Sequence, residues 1–248
     1  MKVFSICGYS DSGKTTTVEF VIRELTARGY KVGSVKEIHA EGFAIDGDPK
    51  TDTARQRAAG SGLVVARGLS ETDVMYQSKL DMKEILRFFE GFDYVVGESV
   101  RELPVPMILT AGSEEDLDKN WNPYVFCVSG RIADGIDEYK GIRAISALSD
   151  GLALVDWIEE KVFEILPNAN PALCGQCGYD CGTMSARIIR GEAARGDCIC
   201  GEGLAFYVDG ERIPLVPFVR NTFHDVVMAY VRNLKGYTPG ADVEIRLK

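Results

Sequence analysis

A glycine-rich run near the start of the chain has the spacing of a phosphate-binding loop. Residues 8–15 read Gly-Tyr-Ser-Asp-Ser-Gly-Lys-Thr, which matches the P-loop pattern G-x-x-x-x-G-K-[ST]. In such a loop, backbone N–H groups cradle phosphates, the lysine reaches the β- and γ-phosphates, and the next hydroxyl binds Mg²⁺. Lys14 and Thr15 would take these two roles, and a plain glycine-rich turn is the alternative interpretation. The expected nucleotide-binding residues are Gly8, Ser10, Asp11, Ser12, Gly13, Lys14, Thr15 and Thr16.

The segments on either side of this loop predict the elements that a phosphate site needs. Residues 3–7 are a short β-prone run before the loop. After it, apolar residues at 18, 21, 22 and 25 recur at helical spacing. The positive end of such a helix would face the phosphates. The sequence therefore predicts a strand, a loop and a helix in the order that binds a nucleoside triphosphate.

An acidic residue at the end of a neighbouring strand is expected to help position Mg²⁺. Asp93 and Glu98 flank the apolar strand that suits this role. Glu98 is the better candidate because ligands lie at the carboxyl ends of strands in open α/β sheets. We assign it to Mg²⁺ binding and catalysis, with a surface carboxylate as the alternative. Asp46 and Asp52 could also approach the phosphates, or they could be solvated loop acids.

Lys36 and His39 lie at the end of the second predicted strand, residues 31–36, on the same side of the sheet as the P-loop. We list both as candidate contacts to phosphate or to an anionic partner, although an ordinary loop histidine explains His39 equally well. The other histidine, His224, is interpreted as structural. The guanine-reading motif N-K-x-D is absent, so spacing alone leaves GTP and ATP as alternatives.

Five of the seven cysteines lie within 27 residues of one another. Four have the spacing C-x₂-C-x₃-C-x₁₆-C, through Cys174, Cys177, Cys181 and Cys198, and Cys200 is an alternative fourth ligand. Four thiolates can hold a [4Fe–4S] cluster or a structural zinc ion. The iron–sulfur cluster is favoured, with zinc and free thiols as alternatives. Cys7 and Cys127 stand in apolar runs and are predicted to be buried in the core.

The order of elements predicts an α/β fold. Strands alternate with helices, which indicates a mainly parallel sheet flanked by helices, and the last helix of this part is predicted over residues 152–166. Pro167 to Pro171 break the pattern. We predict a nucleotide-binding domain over residues 1–166, a four-cysteine module over 167–203 and a small tail over 204–248. The tail reads as a hairpin on Asp209-Gly210, a helix over 218–234 and a closing strand over 243–247.

The composition of the chain limits the kinds of partner that we expect it to bind. The 248 residues are 46% hydrophobic and carry a formal net charge of −9. A nucleic-acid binder would need a basic face to neutralise phosphates, so such a partner is not expected. No targeting pattern and no apolar run of about 20 residues, the length that spans a membrane, is present. A cytoplasmic setting is therefore expected.

The ordered set of motifs in the first 160 residues resembles the family of the molybdopterin-guanine dinucleotide biosynthesis protein MobB. The resemblance is carried by the P-loop, by Val32 to Lys36 with His39, by Asp46 and Asp52, by residues 59–61, and by the strand that ends at Glu98. This chain departs from the family at Glu37 and Ala40, where further histidines are usual, and at Ser99, where glycine is usual. The resemblance implies a homodimeric GTP-binding adaptor with weak GTPase activity. It also implies a molybdopterin guanine nucleotidyltransferase, or a molybdenum or tungsten enzyme, as partner.

The cysteine segment resembles a second, much shorter module. Residues 174–179, with Gly191-Glu192-Ala193 before Cys198, are similar to the four-cysteine [4Fe–4S] module of electron-transfer and carbon monoxide dehydrogenase/acetyl-CoA synthase proteins. That module usually has four residues between its second and third cysteines, and this chain has three. Three functions follow as hypotheses: a MobB-like GTPase carrying a cluster, a nucleotide-dependent metallocentre maturation or electron-transfer factor, and an adaptor with a structural zinc.

Overall fold

The computed structural model describes residues 1–40, 42–44, 47–167, 174, 177–198, 204, 206–208, 211–213, 215–241 and 243. The chain divides into two compact units, Met1–Glu164 and Ile165–Lys248. The strands of the first unit are β1 (Lys2–Gly8), β2 (Val32–Lys36), β3 (Leu63–Arg67), β4 (Thr72–Tyr76), β5 (Tyr94–Glu98), β6 (Met107–Thr110), β7 (Val125–Ser129), β8 (Glu138–Tyr139) and β9 (Ile142–Arg143). Its α-helices are α1 (Lys14–Ala27), α2 (Asp52–Ala58), α3 (Met82–Arg87), α4 (Glu114–Asn120) and α5 (Gly151–Lys161), and Arg131–Asp134 form a 3₁₀ turn.

A five-stranded sheet in the order β2-β5-β1-β6-β7 forms the centre of the first unit. All its neighbouring strands are parallel, which confirms the predicted fold class. Lys36 pairs with Glu98, and Glu98 pairs with Ile6 on β1. On the other side of β1, Gly8 pairs with Thr110. The carboxyl ends of these strands therefore lie at one edge of the sheet, where the P-loop begins.

Helices cover the sheet because its strands are apolar on both faces. Phe4, Ile6 and Cys7 are fully buried on β1, as is Cys127 on β7, which confirms the predicted burial of both cysteines. Val18, Val21 and Leu25 form the buried stripe of α1, as the spacing predicts. Helix α5 packs beside α1 and buries Leu154, Val155 and Ile158.

Three features of the first unit differ from the sequence prediction or go beyond it. Strands β3 and β4 form a separate antiparallel hairpin and do not join the main sheet. Helix α5 ends at Lys161, five residues before its predicted end at Leu166, because Val162 is extended and Glu164 forms an antiparallel bridge with Lys2. Helix α4 was not predicted, although Ser113 caps it by accepting a hydrogen bond from Asp116 N–H.

The second unit contains the cysteine segment and the tail. Its elements are α6 (Cys181–Ile189), a 3₁₀ turn at Arg195–Asp197, the strands β10 (Phe206–Val208) and β11 (Glu211–Ile213), and α7 (Pro217–Val231). Strands β10 and β11 pair antiparallel, as predicted for a hairpin. Helix α6 was not predicted, although Asp180 caps it by accepting from Thr183 N–H. The predicted boundary at residues 168–171 and most of the closing strand lie outside the described residues. No helix in the described part of the chain is long and apolar enough to cross a membrane.

Candidate nucleotide-binding site

The P-loop follows β1 directly and ends where α1 begins, at Lys14. Asp11 and Gly13 have φ values of 61° and 93°, so the loop turns twice through the left-handed region. Glycine reaches that region at no steric cost. A Cβ atom on Gly8 would lie 2.2 Å from the Thr110 carbonyl oxygen, so the first glycine of the motif is required by close contact with β6.

Hydroxyl groups hold the loop in shape. Ser12 Oγ donates to the Tyr9 carbonyl oxygen at 2.8 Å and lies 2.8 Å from Thr110 Oγ1. Thr110 Oγ1 in turn donates to the Cys7 carbonyl oxygen at 3.1 Å. Thr17 Oγ1 donates to the Gly13 carbonyl oxygen at 2.9 Å. These bonds preorganise the backbone that would bind phosphate, which lowers the entropic cost of binding.

Lys14 lies over its own loop. Its Nζ donates to the Gly8 carbonyl oxygen at 3.1 Å, and no acidic side chain among the described residues forms an ion pair with it. The ammonium group is therefore held beside the expected phosphate position with its positive charge uncompensated. Phosphate oxygens are strong acceptors for such a group.

Glu98 is the buried acid of the site. It is 7% exposed, and its Oε1 accepts from Thr15 Oγ1 at 3.3 Å and from Lys36 Nζ at 3.0 Å. A buried carboxylate needs such partners, because desolvation without them is costly. A hydroxyl and a carboxylate at the end of a P-loop supply the oxygen ligands that Mg²⁺ prefers. Four predicted residues, Lys14, Thr15, Lys36 and Glu98, thus lie at one edge of the sheet.

Other candidates are placed differently. Asp93 stands at the opposite end of β5, where its Oδ2 accepts from Lys31 N–H at 2.7 Å, so it cannot act with the P-loop. Asp52 is the first residue of α2, and its Oδ1 lies 3.5 Å from Arg55 Nη1. His39 is exposed in the loop after β2 and makes no hydrogen bond to another described residue. Asp46 lies outside the described residues, and His224, on α7, lies 3.3 Å from Asp225.

Ser99 follows Glu98 at the position where the resembled family usually has glycine. Its φ is 62°, in the left-handed region, where a residue other than glycine is strained by about 1–2 kcal/mol. Its N–H donates to the Ile6 carbonyl oxygen at 3.0 Å. The turn that follows the acid is therefore kept with serine in place of glycine.

Gly130 is a site residue that sequence reasoning missed. A Cβ on it would lie 2.1 Å from the Ser12 carbonyl oxygen, and the next residue, Arg131, donates its N–H to that same oxygen at 3.1 Å. The loop after β7 is thus packed directly on the P-loop. A glycine placed immediately after a buried strand is the signal that could have identified it.

We expect Gly130→Ala to destabilise the fold more than Gly141→Ala. Both glycines have positive φ values, 79° and 77°, at which an L side chain costs about 1–2 kcal/mol or more, and Gly130, with a ψ of −160°, lies in a region that is essentially restricted to glycine. Only Gly130 is crowded, because no atom lies within 4 Å of a Cβ built on Gly141. Chemical denaturation should give a free energy of unfolding lower by a further 1–3 kcal/mol, roughly, for Gly130→Ala. Equal losses would mean that the loop after β7 can move off the P-loop.

The cysteine segment belongs to the second unit. Cys174, Cys177 and Cys181 are half-buried and Cys198 is buried, and none forms a disulfide. Cys177 Sγ donates to the Tyr179 carbonyl oxygen at 3.3 Å. Within the described residues, no three or more His, Cys, Asp or Glu side chains are placed to hold a metal ion. Cys200, the alternative fourth ligand, lies outside the described residues.

The core cysteines have a different character. Burial raises the pKa of the Cys7 thiol and raises that of Cys127 to about 12. A thiol must be deprotonated to react or to bind a metal. Cys7 and Cys127 are therefore packing residues.

The parallel sheet, the P-loop and the buried acid at the adjoining strand end define an α/β protein of the P-loop NTPase type. The crystal structure of Bacillus subtilis MobB has the same fold, with a TM-score of 0.54 at 20% identity, over 66% of this chain and 99% of that one. Residues 3–122 match the family model described as molybdopterin guanine dinucleotide synthesis protein B, MobB. The family model thus matches just under half of the chain, the part that contains the P-loop and Glu98.

Two relatives extend this result. A provisionally named molybdopterin-guanine dinucleotide biosynthesis adapter protein of Methanocaldococcus jannaschii is 27% identical over 100% of this chain and 97% of its own length. The molybdopterin-guanine dinucleotide biosynthesis adapter protein of Haemophilus influenzae is 32% identical over 43% of this chain and 61% of its own length. The archaeal protein is thus similar across both units.

Proposed function

We propose that this protein is a nucleotide-binding adapter in molybdopterin guanine dinucleotide biosynthesis. It binds GTP with Mg²⁺, hydrolyses it slowly, and acts in the cytoplasm with a molybdopterin guanine nucleotidyltransferase or the molybdenum or tungsten enzyme that receives the cofactor. The observation that carries the proposal is the grouping of Lys14, Thr15 and Glu98 on a preorganised P-loop, in the part of the chain that the MobB family model matches.

The side chains at the sheet edge have distinct parts in this proposal. Lys14 would move from the Gly8 carbonyl oxygen to the β- and γ-phosphates. Thr15 and Glu98 would hold Mg²⁺, which neutralises charge on the phosphates. Lys36, whose side chain is 57% exposed, would then be free to meet a phosphate or an acidic group of the partner. His39 stands beyond it in the same loop as a candidate partner contact.

Reconstitution tests the adapter role. A molybdopterin guanine nucleotidyltransferase, molybdopterin, molybdate and Mg·GTP are combined with and without this protein, and the guanine dinucleotide form of the cofactor is quantified. The proposal expects a higher yield with the wild-type protein and the basal yield with Lys14→Ala. An unchanged yield with the wild-type protein, combined with no co-elution of the two proteins, would contradict it.

We also propose that the protein acts as a homodimer through the hairpin β3–β4. Leu63 pairs with Tyr76 and Val65 with Val74, and these four side chains share one face that is 41–55% exposed. Phe88 packs against Tyr76 on this face, with ring centroids 6.0 Å apart. A two-stranded hairpin is marginally stable alone, and a second copy would cover the rest of the face with an identical one. Light scattering should give twice the chain mass of 27.2 kDa, whereas the single-chain mass at micromolar concentration would contradict a dimer.

For the second unit we propose a [4Fe–4S] cluster held by Cys174, Cys177, Cys181 and Cys198, or by Cys200 in place of the last. The support is the spacing of the thiols and the absence of a disulfide among the six described cysteines. Anaerobically purified protein should be brown and contain about four irons per chain, the content of one such cluster.

Two substitutions separate a cluster from adventitious iron. Cys177→Ser should lose most of the iron, whereas Cys127→Ala should keep it, because Cys127 is buried in the first unit. About one zinc per chain, lost in Cys177→Ser, would favour the structural zinc alternative. Stoichiometric absence of both metals would contradict a metal module.

A further inference from the structure

A pocket of about 230 Å³ lies beside the P-loop, on the side away from Glu98. It is formed by the start of α1, the 3₁₀ turn after β7 and the loop after β9. The residues that matter here are Thr16, Thr17, Arg131, Asp134, Ser146 and Ala147. Its volume is several times the roughly 30 Å³ that one water occupies, which is the scale of a nucleobase.

The order of the strands indicates in which direction a bound nucleotide would extend from the P-loop. Glu98 ends β5, on one side of β1, whereas the pocket adjoins the loop after β7, on the other side. Lys14 and Thr15–Glu98 mark the β- and γ-phosphate end of the site. The α-phosphate, the sugar and the base must then extend past Thr16 toward β7, which leads into the pocket.

The wall of the pocket is fixed to the phosphate loop. Arg131 N–H donates to the Ser12 carbonyl oxygen at 3.1 Å, and Ile132 N–H donates to the Ala111 carbonyl oxygen at 3.0 Å. These bonds set the position of the turn that ends at Asp134. On the facing loop, Ser146 Oγ accepts from Leu148 N–H at 3.3 Å and Ser149 N–H at 3.4 Å, which holds Ala147 at the pocket.

The polar groups of the pocket suit guanine better than adenine. Asp134 forms no ion pair or hydrogen bond with another described residue, so its carboxylate is available as an acceptor. Guanine presents two adjacent donors, N1–H and the 2-amino group, and one acceptor, O6. The N–H of Ala147, a buried residue, donates to no described acceptor and would suit O6. Adenine presents an unprotonated N1 in the same place, which a carboxylate repels.

We infer that this pocket takes the guanine base and that Asp134 reads its N1–H and 2-amino group. The inference rests on the proposed nucleotide binding and deepens it, because it assigns base selectivity to a chain that lacks N-K-x-D. Asp134 is a specificity-determining residue here and has no part in the chemistry at the phosphates.

The test varies both the base of the nucleotide and the side chain at position 134. Affinities of Mg²⁺ complexes of GTP, ATP and XTP are measured by calorimetry for the full-length wild type, Asp134→Asn and Asp137→Asn. The wild type should prefer GTP over ATP by at least about tenfold. Asp134→Asn should bind GTP more weakly by on the order of 10- to 100-fold and should gain affinity for XTP, whose C2 carbonyl accepts from the new amide. Asp137→Asn is the matched control, since this exposed aspartate lies outside the pocket.

The outcomes distinguish failure of the base assignment from failure of the proposed nucleotide binding. Loss of GTP affinity with a gain for XTP supports the inference. GTP binding that Asp134→Asn leaves unchanged, or an equal loss for all three nucleotides, overturns the base assignment and leaves nucleotide binding standing. A wild-type protein that binds none of the three contradicts the proposed function itself.

Discussion

Lys14→Ala is expected to weaken binding of Mg·GTP by about 3 kcal/mol, roughly 100-fold, and to leave the fold intact. The ammonium group supplies charge-assisted hydrogen bonds to phosphate, which are worth about 1.5–3 kcal/mol. Among the described residues, its Nζ donates to the Gly8 carbonyl oxygen, and no acidic side chain is paired with it. Calorimetric titration measures the affinity, and thermal unfolding without nucleotide measures the fold.

Lys119→Ala is the control for Lys14→Ala. Lys119 is an exposed lysine on α4 that pairs with Glu115 one turn earlier at 2.6 Å, an interaction worth only about 0.3–0.5 kcal/mol. Its loss removes the same charge from the protein without touching the P-loop. Wild-type affinity in Lys14→Ala, or an equal loss in both variants, would mean that phosphates do not lie on residues 8–15.

Glu98→Gln is expected to abolish the Mg²⁺ dependence of nucleotide binding and to reduce hydrolysis by on the order of 100-fold or more. An amide of the same shape can still accept from Thr15 Oγ1 but lacks the charge that would hold Mg²⁺ and its waters. Titrations with GTP in Mg²⁺ and in EDTA give the first quantity, and phosphate release gives the second. Because the Lys36 side chain is 57% exposed, water can solvate its ammonium when the carboxylate is removed. We therefore expect a stability change of about 1 kcal/mol or less.

Asp93→Asn provides a control on the same strand. Asp93 lies at the other end of β5, where its side chain accepts from Lys31 N–H, and asparagine can accept that bond equally well. This variant should keep both the Mg²⁺ dependence and the rate of hydrolysis. If Glu98→Gln retained wild-type Mg²⁺ dependence, the acid that positions the metal would have to lie elsewhere in the chain.

Local patterns were enough to predict the centre of the molecule. The motif at residues 8–15, the helical stripe at Val18, Val21 and Leu25, and the apolar strand ending in Glu98 each carry their meaning within a few residues. The parallel sheet follows from the alternation of strands and helices. The contacts of Lys36 and Thr15 with Glu98 follow in turn, because parallel strands bring their carboxyl ends to one edge.

The supporting residues could not be found in this way. Thr110, Gly130 and Ser146 are far from the P-loop in sequence, and only the strand order places the first two against it. The separate pairing of β3 with β4 could not be derived from their sequences, because β-propensity does not say which strand a segment pairs with. Helix α5 ends early because Glu164 pairs with Lys2. These two residues are far apart in the sequence, so local patterns do not predict the pairing.

The positions of the loops after β7 and β9 also bear on the absence of the N-K-x-D motif. Base recognition needs a carboxylate and a backbone donor on the correct side of the P-loop, and a particular tetrapeptide is one way to put them there. The turn at Arg131–Asp134 and the loop at Ser146–Ala147 bring such groups to one pocket. That placement depends on two separate loops after β7 and β9, which no single motif records.

Calorimetric titration of the full-length wild-type protein with GTP in excess Mg²⁺ is the decisive experiment. We expect saturable binding of one nucleotide per chain, weakened roughly 100-fold in Lys14→Ala and unchanged in Lys119→Ala. The absence of any binding heat and of any thermal stabilisation, with either GTP or ATP at millimolar concentration, would contradict this expectation.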